Sequence, residues 1–398
     1  MSKSETIVRI AARGDGVTAD GRHVAGTAPG DRILTDGTVE HGPHHATPPC
    51  RHFGTCGGCD LQHLDDEALA SFITDRVRFA AEGQGIEIAK LLPSHVSPPH
   101  SRRRATLHAM TEKSGTLLGF KERGSHRLVN LKQCDILDPK LFAMVKPLRR
   151  FVGSYGGKGA IDIGLSLSDQ GVECSLKNIA LEGLEATEAA LALAQENGLA
   201  RLSMDQGYGP ETVWEPEPLT QSLSGVPVPY PSGAFLQATA DAEQRMVVDA
   251  QQWLSGAKTI VDLFSGLGTF AFAMENHAKI VAAEAASASH LACKSAANMR
   301  QKSVTALHRD LFRNPFQPDE LNTFDGAILD PPRAGAREQI DQIALSQLGR
   351  VVYISCNPSS WAKDAKRLID AGFTLQKLRP VGQFRWSTHV ELTSYFTR

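Results

Sequence analysis

The sequence contains no long apolar run. Its most hydrophobic stretches, such as GAILD and RVVYIS, fall far short of the roughly 20 residues a membrane helix needs. The opening MSKSETIVRI has no apolar signal core, so we expect a cytoplasmic protein with no membrane partner. Net charge is nearly absent too, −2 over 398 residues, which argues against a globally basic nucleic-acid coat. There is no internal repeat. Cysteines are few and odd in number, 7 in a long chain without a secretion signal, which argues against a disulfide framework and for metal or catalytic use. The length allows two or three domains, and we expect a monomer.

The neutral average hides an asymmetry. Residues 101–150 hold twelve Lys and Arg against four acids, a local +8 that leaves −10 elsewhere. A patch this concentrated fits phosphate contacts on a polyanion. Organisation also shifts along the chain. The first forty-odd residues alternate short β-type runs with Gly/Asp turns, which suggests a small β-barrel or meander. From about residue 65, DDEALASFITDRVRFAAEGQG has helical spacing and a glycine stop. Residues 100–178 read as a second β-rich region, with strands in ATLHAM, TLLGF and AIDIGLSLS, and EGLEATEAALALAQENG reads as a helix after it. EPEPLTQSLSGVPVPYPSG reads as a Pro-rich linker. From residue 239 on, helical patterns alternate with buried-strand runs, the pattern of a parallel sheet covered on both faces.

Within that last region, TIVDLFSGLGTFAFAM is a buried strand followed by Gly266-x-Gly268-x-x-Ala271 at the start of a helix. Small residues there let backbone approach a ligand at the carboxyl edge of the sheet. The third glycine, which would grasp a phosphate, is missing. The next strand ends at Glu284, where a carboxylate can accept both hydroxyls of a ribose. Asp310 and Asp330 end the two strands after that. Acids at successive strand ends without a phosphate glycine favour S-adenosylmethionine over a dinucleotide, so a nicotinamide oxidoreductase ranks low. Acids that merely cap helices would explain one of these residues, less easily all.

Two further absences narrow the chemistry. Arg333 follows Asp330-Pro331-Pro332 where amino-group methyltransferases carry an aromatic, which weakens an exocyclic nitrogen as target. No cysteine lies in the Asp-Pro-Pro region, where cytosine enzymes of RNA usually have one. What is present is Cys356, at the end of RVVYIS on the cofactor's side of the sheet. A lone cysteine after an apolar strand is most often inert packing. Carbon 5 of uracil, however, is too weak a nucleophile to take a methyl group unaided, and a thiolate adding to carbon 6 turns the ring into an enolate that can. A base must then remove the carbon-5 proton, and Glu391 in RWSTHVELTSYF can supply it.

On the segments FLQAT, DLFSGLGTF, AAEA, ILDPPRAGA, VVYISCNPSS and THVEL, the C-terminal half resembles the 5-methyluridine RNA methyltransferase family of the TrmA and RumA/RlmD type. The resemblance implies that Gln237, Phe264, Glu284 and Asp330 contact S-adenosylmethionine, that Cys356 is the nucleophile and that Glu391 accepts the proton. It also implies that Asp310 holds the adenine and that Thr269 lies where the loop touches the methionine part, beside the Gly266 and Gly268 that let backbone approach the cofactor. One departure is VGQFRWSTHVE, where the family more often has an Asp and a Pro before His-x-Glu.

Cys50, Cys56 and Cys59, with Cys134 further on, form a spacing that fits either zinc or an iron–sulfur cluster. The same resemblance selects a [4Fe-4S] cluster, as in the RumA-type branch, stapling the N-terminal loop to the basic segment. His44, His45 and His52 are then loop residues rather than ligands. GDGVTADGRHVAGTAPGD is similar to a TRAM domain, a small RNA-binding barrel.

We therefore expect an α/β chain in three parts. Residues 1–46 form a short TRAM-like β-barrel, and residues 47–218 an iron–sulfur loop with a central RNA-binding α+β domain. Residues 219–398 form a Rossmann-like class I S-adenosylmethionine methyltransferase domain with a mixed, mostly parallel sheet. The expected activity is methylation of carbon 5 of a uridine in 23S rRNA. The alternatives are the same chemistry on a tRNA T-loop uridine, or a non-catalytic RNA-binding assembly factor. Arg102, Arg103, Arg104, Lys121, Arg123 and Arg127 are the expected phosphate contacts.

Overall fold

The apolar runs TIVDL, GAIL and RVVYIS become the strands Thr259–Leu263, Gly326–Leu329 and Arg350–Ser355, buried almost throughout because helices cover both faces of their sheet. The structure is a computed structural model that describes residues 4–157, 159–301 and 303–398. With Lys279–Glu284 and Val304–His308, these strands form a parallel array in the order 304–308, 279–284, 259–263, 326–329, 350–355. Strand order reverses between Thr259–Leu263 and Gly326–Leu329, so a crevice opens at their carboxyl ends. Two antiparallel strands, Glu391–Thr397 and Thr374–Gly382, extend the sheet beyond Arg350–Ser355.

Its far edge is closed from upstream. His95–Val96 pairs in parallel with Val381 and Gly382. The helix Asp66–Glu82 starts where the Asp65 side chain accepts the Ala68 N–H at 2.8 Å, and it ends at Gly83. Its Leu69, Phe72, Ile73 and Val77 recur at helical spacing and are buried in one core with Trp361, Leu368 and Leu378. Burial of each such side chain contributes roughly 1.5–3 kcal/mol relative to exposure.

Residues 104–214 build a six-stranded sheet in which Arg104–Glu112 and the first half of Ile161–Ser168 alternate in burial. Ile161, Ile163 and Leu165 point into a core with the helices Val145–Tyr155 and Gly183–Glu196. Asp162, Gly164 and Ser166 point the other way and line a cleft. The stretch expected as a linker is a hairpin instead, Thr220–Leu223 paired with Val226–Pro229. Ser224 and Gly225, both at positive φ (48° and 82°), form its two-residue turn. Its apolar side chains Leu223, Val226 and Val228 are buried, which a solvated linker would not allow.

Residues 5–40 form a curled antiparallel five-stranded sheet, the TRAM-like half-barrel. Among the described residues no helix is long and apolar enough to cross a membrane.

Candidate active site

The loop after Thr259–Leu263 turns on residues whose backbone is left-handed. Phe264, Gly266 and Gly268 have φ of 63°, 55° and 93°. A Cβ on Gly268 would lie 2.8 Å from the Phe272 ring and 3.0 Å from the Cys293 sulfur, so the loop can seat its helix only through a glycine. A Cβ on Gly266 would meet nothing within 4 Å, because the loop there faces open space. The Glu284 carboxylate closes this loop. It accepts the Gly266 N–H at 2.8 Å and the Ala286 N–H at 2.7 Å. Thr269 opens the helix Thr269–Met274. Asp310 accepts the Phe312 N–H at 3.0 Å, which brings the Phe312 ring to 5.4 Å from that of Phe264.

Asp262, not singled out in the sequence, sits directly beneath this loop. It is fully buried, and neither carboxylate oxygen meets a partner at hydrogen-bonding geometry, although the Ala271 amide faces it. Burial pushes its carboxyl up to about 8. An acid inside an apolar strand just before a Gly-x-Gly loop was the available signal. An orphaned buried carboxylate, a glycine loop open to space and a ribose-competent acid fit a bound S-adenosylmethionine, which would be held by Asp262, the Gly266–Gly268 loop and Glu284.

A second group of residues stands at the same carboxyl edge. Ser355 pairs with Leu392, so the residues next along each antiparallel strand, Cys356 and Glu391, are neighbours. Both line a cleft of about 970 Å³ with Arg104, Phe235, Arg333 and His389. Asn357 caps the helix Pro358–Asp370, accepting the Ser359 N–H, which holds Cys356 between strand end and helix start. Burial, with Glu391 and Asp330 nearby, pushes the Cys356 thiol up to about 11. Burial likewise pushes Glu391 up to about 7, against the Gln383 amide and the Arg104 guanidinium, which favour its charged form. Asp330 accepts the Gln237 side-chain amide at 2.9 Å, yet desolvation and the charges of Glu391 and Asp262 push it well above the usual carboxylate range.

The basic residues divide. Arg102, Arg104, Lys121 and Arg123 line the cleft. Arg104 lies 4.4 Å over the exposed Phe235 ring, and Arg123 pairs with Asp60 at 3.2 Å. Arg127 is exposed, beside Glu122. Arg103, expected at phosphates, is buried instead. It pairs with Glu243 and donates to the Gln237 carbonyl at 2.9 Å, so it anchors the Gln237 segment.

The expected [4Fe-4S] cluster is corrected. Among the described residues no group of three or more His, Cys, Asp or Glu is arranged to hold a metal ion. Cys50, Cys56, Cys59 and Cys134 line one small cavity with Phe53, Phe120 and Leu131. Burial raises all four thiols, Cys59 to about 12. Backbone pairing provides the staple between this loop and the basic segment. Gly57 N–H donates to the Lys121 carbonyl at 2.9 Å, and Arg123 N–H donates to that of Thr55 at 3.0 Å.

Comparison with known proteins gives this geometry a context. The family model described as tRNA (uracil-5-)-methyltransferase matches residues 316–398. An RNA methyltransferase of Zymomonas mobilis, named as uncharacterized, is 48% identical over 98% of this chain and 99% of its own. The 23S rRNA (uracil(1939)-C(5))-methyltransferase RlmD of Chromohalobacter salexigens is 31% identical over 89% of this chain and 77% of its own. The crystal structure of Pyrococcus abyssi tRNA (uracil-54, C5)-methyltransferase with S-adenosyl-L-homocysteine shares the fold, with a TM-score of 0.76 at 18% identity over 99% of this chain and 100% of that one. With full-length identity to an RNA methyltransferase and a C-terminal segment matched to uracil-5 enzymes, this chain belongs to the S-adenosylmethionine-dependent RNA uracil-5-methyltransferases.

Proposed function

We propose that Cys356 and Glu391 carry the methylation of uridine carbon 5, and that the RNA to test first is a tRNA. The observation behind this reading is the strand register that sets a thiol and a carboxylate side by side in one cleft, at the edge where the glycine loop also lies. The Cys356 sulfur gives up its proton to solvent and adds as the thiolate to carbon 6 of the uracil, and the electron pair of the 5,6 double bond moves toward carbon 5 and the carbonyl. S-adenosylmethionine, when bound, supplies the electrophilic methyl group that carbon 5 takes up. Glu391 then accepts the carbon-5 proton, the 5,6 double bond re-forms and the sulfur–carbon bond breaks. Asp262, Glu284, Gln237 and Asp330 hold the cofactor side, while Arg102, Arg104, Lys121 and Arg123 offer positive charge to the RNA backbone. The target must be unstacked to expose both faces of its ring, which suits a loop. On this reading the protein works in the cytoplasm.

The 23S rRNA expected from the sequence drew on the iron–sulfur cluster, which the structure corrects. It keeps the support of the 31% identical relative, whose name specifies 23S rRNA. The tRNA alternative has the support of the family model's description. Tritium release from carbon-5-labelled uridine in tRNA and 23S rRNA transcripts, with wild type and Cys356→Ala, separates these. Release from tRNA that is lost in the variant supports the proposal. Release from 23S rRNA alone overturns the substrate, and release that survives the substitution overturns the mechanism.

A further inference from the structure

Gln383 is enclosed at 2% exposure just beyond the strand Thr374–Gly382, in the VGQFRW stretch that departs from the family pattern. Its Oε1 accepts the backbone N–H of Ala238 at 2.9 Å. A backbone N–H can only donate, so this bond fixes which way the Gln383 amide faces. Its Nε2 therefore carries two donors. One goes to Gln237 Oε1 at 3.1 Å, and the amide faces the carboxylate of Glu391, whose strand partner is Val381, two residues before Gln383. Because Gln237 accepts through Oε1, its Nε2 donates, and it does so to Asp330 at 2.9 Å. A single backbone N–H thus sets the direction of every bond in the chain Ala238, Gln383, Gln237, Asp330, and Glu391 faces its middle.

We propose that Gln383 is a positioning residue for the proton-accepting carboxylate, its amide donor fixed by Ala238 and Gln237 to face Glu391 across the paired strands. The inference rests on the assignment of Glu391 as the base, and adds a separate residue to it. Other charged groups around Glu391 are Arg104 on the central sheet, Asp330 after its strand and the Cys356 thiol, with Arg333 beside the thiol. Arg104 favours the carboxylate from the cleft side, whereas Asp330 crowds it with like charge. Gln383 is the neutral donor between them, and its acceptor atom is engaged by Ala238. It therefore cannot turn over to present a lone pair to Glu391 without breaking the Ala238 bond.

The test exploits the two halves of the reaction. Removal of the carbon-5 proton is the step that needs Glu391, so loss of its positioning donor should slow breakdown of the Cys356–RNA adduct more than its formation. In single-turnover reactions with the full-length protein, S-adenosylmethionine and the RNA that wild type methylates, adduct is read as denaturant-stable RNA–protein complex. Gln383→Met keeps the length and loses both polar atoms. The expected result is near wild-type adduct formation, with breakdown slowed by about 10-fold, part of the 10²- to 10⁴-fold a positioned base contributes. The pH midpoint of breakdown should move upward by about one pH unit. Gln383→Glu retains an acceptor for the Ala238 N–H and loses the donors, so it should show the same two changes even if the Met variant melts early. Formation and breakdown falling together in both variants, or breakdown unchanged in rate and pH dependence, overturns the inference. A wild type that methylates without any Cys356 adduct overturns the assignment beneath it instead.

Discussion

Glu284 accepts the backbone N–H of Gly266, 18 residues before it, at 2.8 Å, so the acid that ends one strand closes the loop that ends its neighbour. Its other oxygen accepts the Ala286 N–H, so a glutamine there, whose nitrogen cannot accept, keeps only one of the two bonds. Glu284→Gln should weaken binding of S-adenosylhomocysteine by roughly 10-fold or more, the scale of a charge-assisted hydrogen bond. Isothermal titration calorimetry measures it, and unchanged affinity would remove Glu284 from the cofactor site.

Gly268→Ala puts a methyl group 2.8 Å from the Phe272 ring, on a backbone at φ 93°. Strain and overpacking together should cost about 1–3 kcal/mol of stability and disorder the cofactor loop. A thermal melt at the wild-type midpoint would refute the close approach.

Methylation should fall steeply in acid. Glu391, pushed up to about 7, accepts a proton only when ionised, so its contribution is lost as pH drops through about 7. Cys356, pushed up to about 11, gains thiolate with every step toward alkaline pH. The logarithm of the single-turnover rate should therefore rise more steeply below about pH 7 than above it. A profile flat from pH 6 to 8 would contradict both assignments.

Asp262 links stability to pH with the opposite sign from most carboxylates. Its folded-state value, about 8, lies above the ordinary 3.8, so the folded protein keeps a proton that the unfolded chain gives up. That stabilisation is complete below about pH 4 and is lost as pH rises through about 8. Without cofactor, Asp262→Asn should melt higher than wild type, by several degrees at pH 8.5 and by less at pH 5. The same variant should bind S-adenosylhomocysteine more weakly. Scanning calorimetry at the two pH values checks the first, and a gain independent of pH would contradict it.

The placement of several candidate residues was legible because they sit where local rules apply. Cys356, Glu284 and Asp330 end apolar runs, and the helix from Asp66 carries its own cap and glycine stop. What escaped depends on pairings distant in the chain. Nothing local to Arg103 announces Glu243, 140 residues away, so an arginine in a basic triplet read as a phosphate contact. Gln383 gains its meaning only from Ala238 and Glu391. The hairpin at 220–229 was masked by Pro227 and Pro229, which a two-stranded ribbon tolerates where a broad sheet would not. The four cysteines had the spacing of ligands, and they do line one cavity, but spacing does not say how their side chains are arranged there.

The pairing of His95–Val96 with Val381 and Gly382 has a consequence for how the molecule is made. The helix Asp66–Glu82 leaves the ribosome early, yet the Leu378 it shares a core with is synthesised about three hundred residues later. Until then its apolar face has no permanent cover, and it is exposed to chaperones and to other nascent chains. Synthesis order and burial order run in opposite directions here, so truncation near the C-terminus should leave the first-made helix as the sticky part of the product.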